Sequence, residues 1–427
     1  MSSALLPRTL RSAVSPYTGI VRSLEECLYS TTDPPLHQFA AEIGGVAGPT
    51  RSGGSGATRR QAAAAAVGEA LERYSLGAVP TDRLVVGSAR ELGTVAVEPE
   101  RFALFSARQH GQPGFPFRPF TTETPIAWIE GRSLPDGRRA LLPAELVFLG
   151  HAPPPGCASI GYATSSGAAC AGRVDDALVR ALCEVLERDA FMIVWASRLT
   201  LPAVDWSADE TISVLDRTLF ASVGLPYRAI DLSAFHRLPS LLGVVRAPRG
   251  CAGALGVGAG TAATAERAWW KALSEAFAAR TAGVKLALVA DPGRLRAHDV
   301  ASFDDHIRYY AHRHGAAAFL DARAASTPVA DLPRLEGGTA ATQVAALCAR
   351  VSAAGSTVYV VDVTASDVRA LGLSVLKVLA PELCPLDAAH GARFLGGSRL
   401  YEAAWRLGLR KRPLREQDVN PAPHPFP

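Results

Sequence analysis

Three long segments place small apolar residues and charged residues at spacings of three and four, the repeat of a helix with one buried face. They run from about Arg60 to Leu76, from Val174 to Ala196 and from Thr264 to Ala282. Shorter runs, alternating or continuously apolar, carry the strand signal. These are Leu84–Val86, Ile126–Glu130, Tyr227–Leu232, Ser240–Val245, Ser356–Asp362 and Leu373–Leu379, with a short helix between the last two. A turn at Ser15-Pro16-Tyr17-Thr18-Gly19 leads into a further short strand at Ile20-Val21. Residues 80–160 otherwise break into proline-rich loops, including the stiff connection Pro153-Pro154-Pro155-Gly156, and residues 285–350 read as helical and alanine-rich. Within that stretch Asp304 to His314 forms an Asp/Arg/His patch. Its histidines, His306, His312 and His314, lack a metal-ligand spacing, and the patch reads as surface. The pattern predicts an α+β fold in which mixed β-sheets pack against long helices, with residues 1–50 as an N-terminal segment and 51–427 as one large domain.

A stretch of small residues precedes each long helix: Ser52-Gly53-Gly54-Ser55-Gly56-Ala57-Thr58, then Thr164 to Gly172, then Gly256 to Thr261. A glycine-rich loop feeding a helix N-terminus can hold an anion on its free backbone amides. No G-K-[ST] follows the first of them, so it is not the phosphate loop of common nucleotidases. Taken alone the stretch is a weak signal, and a plain flexible turn is the simpler account of it.

The first two helices repeat a short motif. Gly68-Glu69-Ala70-Leu71-Glu72-Arg73-Tyr74 returns as Cys183-Glu184-Val185-Leu186-Glu187-Arg188-Asp189, and both read E-x-x-E-R. Residues three apart share a helix face, so Glu69 points with Glu72 and Glu184 with Glu187. Like charges at that spacing destabilise a helix unless something positive lies between them. Two such pairs in otherwise apolar helices suggest a carboxylate-lined magnesium site, since magnesium takes hard oxygen ligands shared with nucleotide phosphates. A solvated helix face is the simpler account of either copy alone. The third helix carries Lys271, Glu275 and Arg280; Lys271 and Glu275 can meet at i,i+4 in a pair worth about 0.2–0.5 kcal/mol. The shared order of small-residue stretch and helix suggests internal duplication of a nucleotide-binding unit.

Composition narrows the classes. A chain of 427 residues with 48% hydrophobic and 20% charged residues is globular, and a net charge of +4 offers no basic stripe for nucleic acid. The seven cysteines include no C-x-x-C pair and no zinc spacing, which suits a reducing cytoplasm. Neither a signal peptide nor an apolar run long enough to span a membrane is visible.

The chain ends Asn420-Pro421-Ala422-Pro423-His424-Pro425-Phe426-Pro427. Such a tail cannot form a helix or a central strand, and predicts a stiff, extended, polyproline-like arm with Phe426 as an anchor.

These features together resemble the YcaO family, and within it the azoline-forming cyclodehydratases. The resemblance covers most of the chain. It rests on the two E-x-x-E-R helices, the Ser165-Ser166-Gly167-Ala168-Ala169-Cys170-Ala171-Gly172 stretch, the helix holding Glu275, the segment from Leu371 to Pro381 and the proline-rich ending. The opening Ser15 to Val21 is similar to standalone members that work beside a separate leader-binding partner of the E1-like type. The resemblance implies the YcaO fold with a carboxylate-lined ATP and magnesium site. It implies an ATP-dependent ring closure on cysteine, serine or threonine of a ribosomally made precursor peptide, and a homodimer. Glu69, Glu72, Glu184 and Glu187 would hold Mg2+. Ser55, Arg73, Ser166, Arg188, Lys271, Glu275 and Arg280 would bind or order ATP, and the terminal carboxylate of Pro427 would be the base. The chain departs from the family pattern at Ser55, where lysine is usual, at Ala65 (serine), Ser166 (asparagine), Lys271 (arginine) and Ala278 (glutamine). A thioamide- or amidine-forming relative and a catalytically silent scaffold remain as other readings.

Overall fold

The computed structural model describes residues 2–29, 31–44, 51–289, 295–321 and 325–427. It contains three sheets, and the long helices lie against them.

The first sheet is antiparallel in the order β1 (Val21–Cys27), β2 (His37–Ile43), β3 (Arg51–Gly56), so the N-terminal strands pair directly with residues beyond 50. Helix α1 (Arg59–Gly77) crosses it, capped by the Thr58 hydroxyl, which accepts from the Gln61 amide at 3.2 Å. The glycine-rich stretch expected to be a loop is therefore a strand. Its glycines let the backbones touch: a Cβ on Gly54 would lie 2.2 Å from the Ala66 nitrogen and 2.4 Å from the Ala62 oxygen. The alanines at 62, 63 and 66 of α1 are fully buried against it, small residues meeting small residues.

The same device recurs. In the second sheet, strands run in the order β11 (Leu255–Thr261), β10 (Ser240–Arg246), β9 (Tyr227–Asp231), β8 (Ala203–Asp205), β12 (Ser326–Pro328), and β8–β12 is the parallel pair. Gly256 to Thr261, expected to be a loop, is most of β11. Helix α2 (Val174–Ser197) borders this sheet and α3 (Ala265–Val289) lies flat on it. Cβ atoms built on Gly243, Gly256, Gly258 and Gly260 would all come within 2.4 Å of α3 atoms, mostly backbone.

The third sheet is ordered β4 (Val85–Gly87), β5 (Ile126–Ser133), β13 (Tyr359–Asp362), β14 (Ser374–Leu379), β7 (Ala168–Ala171), with β6 (Arg139–Pro143) also on β5. Thus the second small-residue stretch also turns into a strand after Gly167, whose positive φ of 78° brings it against Val185 of α2. Helix α2 packs on β14 and β7 and is buried from Ala177 to Ser197 on its inner face, with the amphipathic α5 (Ala340–Ala353) alongside.

Helix α4 (Phe303–Tyr310) corrects the surface reading of the Asp/Arg/His patch, because His306 is fully buried and Tyr310 nearly so. Both grip the C-terminal segment. Tyr310 Oη donates to the Pro423 oxygen at 2.5 Å, and His306 Nδ1 lies 2.7 Å from the His424 oxygen. Trp195 Nε1 donates to the Ala422 oxygen at 3.1 Å and Arg393 to the Asn420 oxygen at 2.7 Å. The proline-rich tail is thus extended, as its composition predicts, and it is held residue by residue within the protein. Prolines cannot donate to a neighbour, so the tail is fixed through its carbonyls, and the donors are side chains of α2, α4 and the segment before α6 (Ser398–Arg406).

Replacing Gly260 with alanine should destabilise the chain by about 1–3 kcal/mol in denaturant unfolding, because its Cβ would meet the Ala268 oxygen at 2.2 Å. Gly172→Ala, where nothing lies within 4 Å, is the control and should leave stability nearly unchanged.

Candidate active site

Helices α1 and α2 bring their E-x-x-E-R turns to opposite walls of one cleft. Glu69, Glu72 and Glu184 line it together with Lys271 of α3, Arg180, Arg267 and Ala65, around a cavity of about 460 Å³. Strand β7 forms its floor through Ala168 and Cys170. Each carboxylate is set in place by its element. Arg73 pairs with Glu69 at 2.6 Å and donates to the Arg51 oxygen at 2.8 Å, while the Gly53 amide donates to Glu69 at 3.3 Å. Arg188 pairs with Glu184 at 3.2 Å one turn along α2.

Among the described residues Glu72 has no such partner. Its carboxyl is held well above the usual range by burial, with repulsion from Glu184 and Glu69 adding to the shift. Burial also raises Glu69, and Arg73 offsets part of this; the side chain keeps about a third of its surface open to the cleft. Carboxylates forced together beyond what nearby cations neutralise fit a hard divalent ion with oxygen ligands.

Glu187 is placed differently. It lies beneath the cleft with no exposure, held by Lys271 Nζ at 3.2 Å from either oxygen, by Arg188 at 3.1 Å and by the Thr261 amide at 2.5 Å. Strand β11, helix α2 and helix α3 meet at this one carboxylate. Lys271 also lies 3.8 Å from Glu275. Burial lifts Glu275 to about 7 against the pull of Lys271. Burial alone would lower Lys271, yet Glu187 and then Glu275 hold it above its ordinary value.

The remaining residues expected at the site spread outward. Ser166 and Arg188 line an adjoining pocket and not the cleft itself. Ser55 sits on β3 opposite Gln38, on the face alternate to Gly54 and Gly56, and outside the cleft lining. Arg280 is buried two turns from Lys271 and bonds Asp33 at 3.0 Å and the Thr32 oxygen at 3.1 Å, tying α3 to the segment before β2. Pro427 is half-buried and directly follows Phe426, whose ring packs on Phe191 and lies 4.0 Å beneath the Arg188 guanidinium.

Three contributors were not singled out from sequence. Lys377 is a lone charge in the apolar strand β14, and that isolation is the signal that marks it. Arg180 lies one turn before Glu184 on the same face of α2. Asp189 is fully buried behind Arg188, where it accepts from Arg399 at 2.7 and 2.8 Å and from the Cys384 amide at 2.9 Å, with His236 Nε2 at 2.8 Å. Burial opposes its charge, but Arg399 and His236 hold the carboxyl well below its ordinary value.

Among the described residues, His306, Asp387 and His424 form a second compact group of metal-ligand types, with one atom of each within 4.8 Å of the others. Both histidines are already engaged with backbone groups, while Asp387 Oδ1 is buried without a hydrogen-bond partner 3.3 Å from His424 Nε2. His424 accepts from the Phe426 amide at 3.2 Å on Nδ1 and meets the Asp387 backbone oxygen at 2.6 Å on Nε2. His306 spans the carbonyls of His424 and Ala388. The group is a clamp on the tail, and its rings stack at 3.8 Å.

The fold and this carboxylate-lined cleft place the chain in a known class. The family model "YcaO cyclodehydratase, ATP- and Mg2+-binding" matches residues 53–384, and the chain belongs to the YcaO family. Its structure is similar to that of a heterocyclase in complex with substrate and cofactor, with a TM-score of 0.83 and 24% identity over 100% of this chain and 57% of that one. It is also similar to YcaO from Methanopyrus kandleri bound with AMPPCP and Mg2+, with a TM-score of 0.59 and 20% identity over 85% and 86% of the two chains. An uncharacterized protein of Methanothermobacter thermautotrophicus is 30% identical over 186 residues, 42% of this chain and 44% of that protein. The chain therefore spans about half the length of that curated relative. No helix among the described residues is long and apolar enough to cross a membrane.

Because the raised carboxyls let the folded chain hold protons that the unfolded chain releases, their contribution to stability falls as pH rises through the carboxylate range. Glu72→Gln removes one of the repelling charges. In thermal unfolding without divalent cations it should melt above the parent at neutral pH, and the further rise on adding Mg2+ with nucleotide should shrink. An unchanged response to Mg2+ would remove Glu72 from the metal site.

Proposed function

We propose that the chain is an ATP-dependent peptide cyclodehydratase. It converts cysteine, serine or threonine of a ribosomally made precursor peptide to thiazoline or oxazoline, together with a leader-binding partner protein and as a homodimer in the cytoplasm. The observation that carries this reading is the meeting of Glu69, Glu72 and Glu184 in one cleft of a YcaO-family chain. The substrate and nucleotide complexes of the similar structures support it.

In the proposed reaction a side-chain thiol or hydroxyl attacks the preceding amide carbonyl. The resulting oxygen takes the terminal phosphoryl group of ATP, and phosphate leaves as the ring C=N bond forms and the amide nitrogen loses its proton. Phosphoryl transfer is mainly positioning and charge neutralisation, with little covalent work for the protein. Mg2+ held by Glu69, Glu72 and Glu184 would screen the phosphate charge. Glu187, paired beneath the cleft with Lys271 and Arg188, would set the positions of those two cations and join the metal shell only if Lys271 released it. Lys271 would face the nucleotide, with Glu275 orienting it, and Arg73 and Arg188 would hold Glu69 and Glu184 in position; Ser55, Ser166 and Arg280 would order the elements around the nucleotide. The Pro427 carboxylate is the proposed base; it follows Phe426, whose ring lies under Arg188.

One observation favours a silent scaffold instead: Ala65 lines the cleft, and a methyl group contributes no ligand. Mass spectrometry of a cognate precursor with partner, ATP and Mg2+ separates the two. Ring formation loses one water mass per processed residue and consumes ATP, whereas a scaffold does neither. Glu69→Gln should weaken Mg2+–nucleotide binding about tenfold, the loss of roughly one charged interaction, without unfolding the chain. Residues appended after Pro427 should slow ring formation while nucleotide binding stays intact, and full activity with such an extension would exclude the terminal carboxylate as base.

A further inference from the structure

Beside the carboxylate cleft lies a second pocket, which shares Ser166 and Arg188 with the proposed nucleotide site but whose apolar walls that chemistry does not use. Its walls are apolar, from Phe102, Leu104, Leu146, Tyr162, Leu383 and Phe394, and its cavity is about 110 Å³. Its other end is cationic, formed by Lys377 and Arg188 with Ser166. The two sites share one partition. Lys377 pairs across the sheet with Ala168, which lines the cleft, and Val185 of the pocket follows Glu184 of the cleft on α2.

Lys377 is the unusual member. It is 4% exposed and has no carboxylate within ion-pair distance among the described residues. Its ammonium donates to the Thr164 oxygen at 2.7 Å and to the Ser166 oxygen at 2.5 Å. An ammonium has three donors, so one remains after these two bonds. Burying a lysine charge against carbonyls alone is costly, and a neutral residue would fill the strand position more cheaply. Burial lowers Lys377 to about 8, against the opposing field of Glu184 and Glu72. Arg188, which shares this end, has a buried Nε with no hydrogen-bond partner.

An apolar pocket closed at one end by a spare cationic donor is complementary to an apolar side chain carried next to a carbonyl. The volume limits which one. An engineered apolar cavity of about 150 Å³ takes benzene, so the space here suits a branched aliphatic chain better than a large aromatic one. We infer that this pocket seats the aliphatic side chain of the peptide residue that supplies the reacting carbonyl, and that Lys377 hydrogen-bonds that carbonyl oxygen. The inference rests on the cyclodehydratase reading and adds a substrate preference to it: an aliphatic residue immediately before the cysteine, serine or threonine that cyclises. Lys377 then meets the oxygen on which negative charge develops, at the boundary of pocket and cleft, and that same oxygen goes on to take the phosphoryl group from the cleft side.

The test uses the intact protein and small probes. N-acetylleucinamide is titrated by ligand-observed NMR with AMPPCP and Mg2+ at saturation, and N-acetylaspartamide serves as the acidic counterpart. The leucine probe should bind alongside the nucleotide and the aspartate probe at least tenfold more weakly. Ala380→Leu, or Ala163→Leu should the first not fold, fills the pocket and should abolish leucine binding while AMPPCP affinity is unchanged. Lys377→Met should weaken the leucine probe by about tenfold, the loss of one charged hydrogen bond, and by more than it changes AMPPCP affinity. If Lys377 only braces residues 164–166, Lys377→Met will lower the melting temperature and leave probe affinity as it was, which overturns its assignment. Displacement of the leucine probe by AMPPCP would give the pocket to the nucleotide, and equal binding of both probes would remove the aliphatic preference; either result overturns the inference. Failure of the parent protein to bind AMPPCP is read in the same titration, and would bring down the cyclodehydratase reading and this inference with it.

Discussion

Glu69, Glu72 and Glu184 are held closer together than their charges favour, and much of the architecture serves to keep them there. Two helices present them, and the backbone of each helix is locked from behind. Helix α1 is pressed on β3 through Gly54 and Gly56, and α2 rests on β7 and β14 and meets Gly167 through Val185. Repulsion between carboxylates that in water would be relieved by rotating a side chain is here borne by the packing of whole elements. That is why the burden falls on Glu72, where repulsion from Glu184 and Glu69 outweighs the pull of Arg73 and Lys377 and no cation among the described residues is within ion-pair distance.

A second charge centre lies directly beneath. Glu187 receives Lys271, Arg188 and a strand amide, so the helix-to-helix spacing at the cleft is set by a neutralised carboxylate while its lip is left anionic. The two E-x-x-E-R copies have therefore diverged in role. In the first, Glu69 and Glu72 both face the cleft. In the second, Glu184 faces it and Glu187 turns inward, although the spacing is the same. What differs is the neighbouring helix, since α3 supplies a lysine at that depth.

The long helices and the acidic motif were legible because they are local: a periodicity and a three-residue spacing. The glycine-rich stretches were not. Glycine in a strand is disfavoured by local propensity, and Gly54, Gly256, Gly258 and Gly260 read as loop until the helix that needs their missing side chains is in view. His306 fails for a related reason. Its partners are carbonyls of residues 388 and 424, so nothing near it in the chain distinguishes a buried clamp from a solvated patch. The tail's extended form was readable from its prolines, whereas its burial depends on donors from Trp195, Tyr310 and Arg393. Lys377 was visible as an oddity in an apolar strand, but its meaning required the pocket beside it.

The third sheet carries a consequence for how the protein comes into being. Its central strand β13 is inserted between β5 and β14, with Tyr359 opposite Ser133, so one strand waits for a partner made much later in the chain. Contacts of such long span fold slowly. On the ribosome the finished β4–β5–β6 unit would emerge with the far part of one β5 edge, at Arg132 and Ser133, still unpaired and available to another extended segment. Production of this chain should therefore be limited less by its final stability than by how well that flank is shielded while translation runs on.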